Sequence, residues 1–256
     1  MKTLKHLTLT LDIPLLPHQI KKFRGAIIEK IGREHHLFHN HQDDGKYHYR
    51  YPLIQYKSQR RKAGMVGLGK GAEALYYLLT AGISHLKIDG REYPFQLAHL
   101  QQKDLLLQTV SYPKTYRLYN YIGLNSNNYE QWQQTKRYED KMTILRKALT
   151  AHILSFAAGV GWDIKERFEV NIENINQTKK IVYKDTELMA FDIDFNVPLF
   201  LPKHIGLGKS VSMGFGKLLP LMKKDKGPVT GDKGRRTGDK KQIIMSDEEQ
   251  VTRDEG

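Results

Sequence analysis

From Leu7 to Gly32 the chain reads LTLTLDIPLLPHQIKKFRGAIIEKIG, and the spacing of its apolar residues changes once along the way. Leu7, Leu9, Leu11 and Ile13 alternate with polar residues, the period of a half-buried strand. After Pro17 the apolar residues Ile20, Phe23, Ile27 and Ile31 recur at helical intervals, and Gly32 supplies a stop. Lys21, Lys22 and Arg24 lie mostly off that apolar stripe. A strand running straight into an amphipathic helix opens a β-α unit, and the segments on either side decide which one.

Downstream, KYHYRYPLIQYK (46–57) predicts a second strand, with Tyr47, Tyr49 and Tyr51 on one face and His48 and Arg50 on the other. SQRRK (58–62) turns the chain, and AGMVGLG (63–69) returns it. The spacing then predicts a helix over 70–81, with Ala72, Leu75, Tyr76 and Leu79 on one face. HLKIDGREYPFQLAHL (85–100) reads as extended chain with a turn at Asp89-Gly90. The order is β-α-β-β-α-β, a ferredoxin-like unit. A looser repeat follows. LLLQTVSYP (105–113) and YRLYNYIGL (116–124) read as strands, with a polar excursion NSNNYEQWQQT (125–135) after them. A helix is predicted through 140–160, where Ile144, Leu145, Leu149, Ile153 and Phe156 keep helical spacing. RFEVNIENI (167–175) and MAFDIDFNVPLFL (189–201) alternate again. The expected fold is therefore α+β: two tandem ferredoxin-like, RRM-like βαββαβ domains over 1–102 and 103–222, the second less regular. The segment 223–256, where TGDK occurs twice before an acidic end, reads as a disordered charged tail.

The charge narrows the partners. Lys and Arg outnumber Asp and Glu 41 to 28, a net charge of +13. The tail holds nine basic and eight acidic residues, so the excess belongs to the folded body and points to a polyanion. Cysteine is absent, which excludes disulfides, a thiolate nucleophile and Cys-ligated zinc, and suits a cytoplasmic location. The first residues alternate as a strand does and carry Asp12 early, unlike a signal peptide. The longest apolar run is far shorter than the roughly 20 residues of a membrane span.

HHLFHNHQDD (35–44) packs four of the eleven histidines into seven positions. Three readings fit it. HNHQDD nearly matches the H-x-H-x-D-H of metallo-β-lactamase-fold hydrolases but has Asp44 where the last histidine belongs, and it follows a basic helix instead of a hydrophobic strand. His39 and His41, two residues apart, suit metal-free acid/base work, since imidazole titrates near pH ~6.5. The third reading is a solvated loop, or one that holds a polyanion without chemistry.

GLGKSVSMGFG (206–216) sets Gly206 and Gly208 before, and Gly214 and Gly216 after, five residues that include Lys209, Ser210 and Ser212. Glycine permits positive φ and close backbone approach, so successive N–H groups can point at an anion. The spacing is neither a dinucleotide fingerprint nor a Walker loop. GLGKG (67–71) looks similar but reads as a tight strand-to-helix turn.

From Ile205 to Gly216 the pattern is hydrophobic-G-hydrophobic-G, five residues, then G-hydrophobic-G. This resembles the glycine-rich signature of the CRISPR repeat-processing endoribonucleases of the RAMP superfamily. KFRG (22–25), LFHNH (37–41) and YRYPLIQYK (49–57) resemble the N-terminal half of one subgroup of that family. The resemblance covers roughly residues 4–220. It implies two ferredoxin-like domains and a metal-independent endoribonuclease, without cofactor, that cuts the repeats of CRISPR precursor RNA to release guide RNAs. It also implies catalytic roles for His39 and His41; on chemical grounds alone, Lys46, Tyr47 and Tyr49 are candidates to assist them by charge or hydrogen bonding. The RNA carries its own nucleophile, the 2′-OH, so the protein need supply only a base, an acid and positive charge. Arg24, Arg60, Arg61, Lys203, His204, Lys209, Ser210, Ser212 and Lys217, with the four glycines, are the expected RNA contacts. His152 and Trp132 read as packing residues, Trp132 equally as a base-stacking platform. A non-catalytic RNA-binding subunit of a CRISPR complex is the alternative and a metal-dependent hydrolase the third. An effector complex and a homodimer are compatible partners.

Overall fold

Alternation at the N-terminus extends further than the quoted stretch, and the resulting strand has both faces covered. The computed structural model of the protein describes residues 1–39, 51–183 and 186–221. His41, Lys46, Tyr47, Tyr49 and the charged tail lie outside the described residues. β1 (Lys2–Pro14) buries Leu7, Leu9, Leu11 and Ile13 on one side and Leu4, His6 and Thr8 on the other. A three-residue turn, Pro17–Gln19, leads into α1 (Ile20–Ile31), where the Gln19 side chain accepts the Leu16 N–H at 3.0 Å. Ile20, Phe23, Ile27 and Ile31 are buried, as the spacing predicts. Gly32, at φ 94°, ends the helix. The short α2 (His36–His39) follows.

β2 (Ile54–Gln59) starts later than the expected strand of 46–57; Tyr51 precedes it, and its side chain is drawn into the second core. The turn to β3 (Lys62–Leu68) places Arg60 and Arg61 at φ 48° and 61°. That mirror-image turn matches strand twist, yet costs about 1 kcal/mol per residue bearing a Cβ. α3 (Lys70–Thr80) buries Ala72, Leu75 and Leu78 and leaves Tyr76, expected inward, exposed.

The segment read as one extended closure divides in two. β4 (His85–Ile88) and β5 (Arg91–Pro94) form a separate hairpin about Asp89-Gly90. β6 (Leu97–Leu107) then pairs with β1 from Leu11↔Leu97 to Lys2↔Leu107, running across residue 102. The first sheet has the order β2-β3-β1-β6, antiparallel throughout, as a ferredoxin-like unit requires.

LLLQTVSYP is accordingly split between two sheets: Leu105–Leu107 belong to β6, and β7 (Thr109–Tyr121) runs through the rest and on. Pro113, which reads as a break, falls inside a register shift between Thr109 and Lys114, where no ladder N–H is needed. The polar excursion is a helix, α4 (Ser126–Gln134), capped by Asn125, whose side chain accepts the Asn128 N–H at 2.8 Å. It buries only Trp132, so no apolar stripe marks it in the sequence. α5 (Tyr138–Gly159), β8 (Asn171–Tyr183), β9 (Thr186–Leu199) and β10 (Lys217–Pro220) complete a second sheet ordered β10-β7-β9-β8.

Both sheets thus repeat the same strand order. In the second, the helix expected between the third and fourth strands is replaced by the glycine-rich stretch, which holds one three-residue turn, Val211–Met213. One core lies between the first sheet and α1 and α3. The other joins α5 and the second sheet to the opposite face of the first, through Leu4, Val66, Leu68 and Leu107. Among the described residues no helix is long and apolar enough to cross a membrane.

Candidate functional site

The histidine segment is anchored by its backbone. Phe38 is buried, and its carbonyl accepts the Tyr56 hydroxyl at 3.2 Å and Arg24 Nε at 3.3 Å. A second Arg24 nitrogen donates to the carbonyl of His39. Helix ends leave carbonyls without partners, and a guanidinium placed there satisfies two of them and complements the helix dipole. The remaining Arg24 nitrogen meets Sδ of Met213 at 3.6 Å. Arg24 was expected at the RNA; its donors instead tie α2 to α1 and to the glycine-rich stretch. His39 is half-buried, and its Nε2 bonds the Arg33 carbonyl, which makes that nitrogen the donor. Its ring meets His36 edge-on, with centroids 5.5 Å apart. His35 packs on Tyr77 at 4.6 Å and lies 3.9 Å from Glu34. The H-x-H-x-D pattern occupies 39–43, of which only His39 is described.

Why the other motif needs its glycines is visible in what surrounds them. Ile205 and Leu207 are fully buried. Between them the Gly206 N–H donates to Gln55 Oε1 at 2.8 Å, and its carbonyl accepts the Tyr51 hydroxyl at 2.8 Å. Gln55 Nε2 in turn donates to the Tyr51 hydroxyl at 2.8 Å, closing a fully buried ring of polar groups. Burial raises the Tyr51 phenol well above its ordinary range, and the hydrogen bonds only partly offset this. Gly216 stands at φ 62°, and any Cβ there would overlap the carbonyl of Leu207. Gly214 lies against Ile20 and the Tyr56 carbonyl, so the stretch is a seam between the two domains.

This changes the expected role of the glycines. The N–H groups of Gly206, Gly214 and Gly216 donate to Gln55, Val211 and Asn120 inside the protein, and so are not presented to an outside anion. What faces outward is the side chains between and beside them. Lys203 and Lys209 are exposed, while Ser210, Ser212 and Lys217 are half-buried. Burial depresses the ammonium pKa of both Lys209 and Lys217. Arg60 and Arg61 are exposed at the β2–β3 turn. Trp132 is buried against Phe191 at 5.1 Å, with Lys141 over its ring at 5.4 Å, an arrangement that gives it a packing role. His152 accepts or donates one hydrogen bond to the Tyr121 hydroxyl at 2.8 Å, and burial lowers its pKa to about 4.

His6 belongs to no motif in the sequence, and Lys57 is the last residue of YRYPLIQYK. His6 alternates with the core leucines of β1, on the side that period two assigns to solvent, and Lys57 falls by the same period on the face of Tyr51. Both are buried because the second domain covers that face.

Two ferredoxin-like sheets of identical strand order, joined by a glycine-rich seam beside a backbone-anchored histidine segment, define a class of basic double-RRM-like proteins. The chain belongs to the Cas6b family: the model of the Cas6b N-terminal domain matches residues 2–105, and that of the C-terminal domain matches 108–221. The crystal structure of Cas6b superposes with a TM-score of 0.78 at 24% identity, covering 86% of this chain and all of the other. That of a CRISPR RNA processing endoribonuclease Cas6b gives 0.66 at 20% identity over the same shares. Csf5, a type IV CRISPR-Cas Cas6 crRNA endonuclease, gives 0.53 at 14% identity, again over 86% and 100%. An uncharacterised protein of Methanocaldococcus jannaschii is 26% identical over 99 residues, which are 39% of this chain and 66% of that protein. The chain therefore spans about two thirds of the length of the curated relative it matches.

Proposed function

We propose that the protein is a metal-independent endoribonuclease that cleaves CRISPR precursor RNA within its repeats to release guide RNAs. Family membership supports the substrate class, and the position of His39 supports the chemistry. Arg24 grips the carbonyls of Phe38 and His39 and touches Met213 in the glycine-rich stretch, so one side chain couples the histidine segment to the basic seam. One histidine of the pair His39 and His41 takes the proton of the 2′-OH, and the 2′-oxygen attacks phosphorus. The bond from phosphorus to the 5′-oxygen breaks, and the other histidine protonates the leaving oxygen. The products are a 2′,3′-cyclic phosphate and a 5′-hydroxyl. Lys46 and Tyr47 assist by charge and hydrogen bonding. Lys203, Lys209, Lys217, Ser210, Ser212, Arg60 and Arg61 hold the backbone, and the four glycines act by letting the seam close. The two domains meet between Leu107 and Thr109.

Incubation with cognate repeat RNA in EDTA tests the reading. Cleavage is expected, and replacing the 2′-OH at the cut site by hydrogen should abolish it. His39→Ala should slow cleavage by about 10²–10⁴-fold while RNA affinity changes little. Activity that appears only with zinc or manganese, or binding with no cleavage, would refute it.

A further inference from the structure

Every buried side-chain nitrogen or oxygen without a hydrogen-bond partner, among the described residues, lies on one face of the first sheet or directly against it. There are four: Nε2 of His6, Nζ of Lys57, Nε2 of Gln59 and Nδ1 of His204. All four are nitrogens. Random packing defects would include oxygens, and buried polar groups are satisfied in the great majority of cases. Lys57 and Gln59 bring N–H donors, whereas each neutral imidazole has one N–H and one lone pair, so its open nitrogen donates to an anion only in the matching tautomer or when protonated.

The strand register places them. Lys57 stands opposite Gly64, which stands opposite Thr10, so no side chain crosses the sheet between Lys57 and β1. Gln59 is two residues along the same face of β2 and leans over Gly64, its oxygen accepting the Thr10 hydroxyl at 3.3 Å. His6 faces the same side of β1, paired with Lys103 on β6. The second domain closes over them. Gly206 is held by Gln55, two residues before Lys57, and Gly206 also bridges to Lys217 at the start of β10. The His204 backbone N–H donates to the Leu218 carbonyl at 2.8 Å, which ties this stretch to β10. His204 feels the charges of Lys217, Lys203, His6 and Lys57, and Lys57 feels that of Lys217. The His6 ring hydrogen-bonds the Lys203 backbone and also feels the charges of Lys203 and Lys103. These neighbours are all cationic. Burial, with their repulsion, lowers Lys57 to about 7 and the two histidines to about 4.

We infer that the seam between the first sheet and the glycine-rich stretch is a phosphate-binding site, built around Lys57, Lys217 and His204. An anion there would accept from the ammonium groups of Lys57 and Lys217 and favour the charged forms that burial otherwise suppresses. Lys57 is 2% exposed, so entry requires the seam to part, and the glycine-rich stretch is the element that covers it. Two sources supply the chemistry, a phosphodiester of bound RNA or free inorganic phosphate. The first rests on the RNA-processing reading; the site itself does not.

Thermal unfolding of the full chain separates the cases. Inorganic phosphate, against chloride at equal ionic strength, should raise Tm by about 3–6 °C at ten times its dissociation constant. Lys57→Met fills the same space without charge. It should raise Tm in chloride, because an unpaired buried amine is removed, and should lose the phosphate-specific rise. An equal phosphate rise in both proteins is a general salt effect and overturns the site. So does the lack of any rise in the wild type. If Lys57→Met fails to fold, Lys217→Met gives the same comparison at a half-buried position. Repeat RNA then identifies the source. At least tenfold weaker RNA binding by Lys57→Met, with phosphate competing only in the wild type, assigns the site to the RNA backbone. Loss of the phosphate rise with RNA affinity unchanged establishes the site for free phosphate.

Discussion

The two domains carry the same strand order but fill the gap before their last strand differently. In the first, α3 covers its own sheet, burying Ala72, Leu75 and Leu78 in its own core. In the second, the glycine-rich stretch turns outward and packs on β2 and α1 of its neighbour, through Gly206 on Gln55 and Gly214 on Ile20 and Tyr56. A helix satisfies its own backbone and needs only an apolar stripe. An irregular stretch must find partners for each N–H and carbonyl; here Lys209 and Gly216 find them on Ile122 and Asn120 of the same domain, and Gly206 finds both of its partners, Gln55 and Tyr51, across the domain boundary. The first arrangement seals a domain; the second welds two together and leaves its lysines at the weld.

Substitutions should affect the two arrangements unequally. Gly216→Val places a side chain at φ 62° and against the Leu207 carbonyl, and should cost about 3 kcal/mol or more in denaturant unfolding. A loss below 1 kcal/mol would mean that the seam yields easily. Acid should open the seam next. His6, His152 and His204 have folded pKa values near 4, below the unfolded value of about 6.5, so the unfolded chain binds more protons between those limits. Their contribution is complete above pH ~6.5 and is lost as pH falls towards 4. Stability should drop by about 2–4 kcal/mol from pH 7 to 5, chiefly through His6 and His152, since His204 is better solvated. A flat profile over that range would contradict the buried, neutral histidines. Gln55→Leu leaves the Gly206 N–H and the Tyr51 hydroxyl without their partner, at about 1–3 kcal/mol. The smallest effect has the opposite sign. Gly25, inside α1, has nothing within 4 Å of a Cβ, so Gly25→Ala should stabilise by about 0.5–1 kcal/mol. Destabilisation there would show that α1 needs its glycine for more than helix geometry.

Much of the fold was legible because several elements bury a stripe of one period. β1, α1, α3 and α5 all carry such a stripe and fall where spacing predicts. α4 was not legible, since a helix that buries one tryptophan under a capping asparagine looks like a polar loop. The β6–β7 boundary was hidden as well. Leu105 to Pro113 is uniformly strand-like, and only pairing decides that Leu107 joins β1 while Thr109 joins β9. Of the site, the residue types of the histidine segment and the glycine pattern stood out by composition. The work of Arg24 did not, because a lysine- and arginine-rich helix face gives no sign of which cation meets a carbonyl.

By itself the sequence determined the periods, the breaks and the basic excess, and these follow from local chemistry: side-chain alternation, helical spacing, glycine and proline. The tertiary structure alone decided which polar residues were covered. His6 stands at a position that period two assigns to solvent, and Lys57 is a cation on the face of Tyr51; both are buried because a second domain lies over that face. Burial of a strand's second face depends on what arrives from a hundred residues or more away, and no local pattern encodes it.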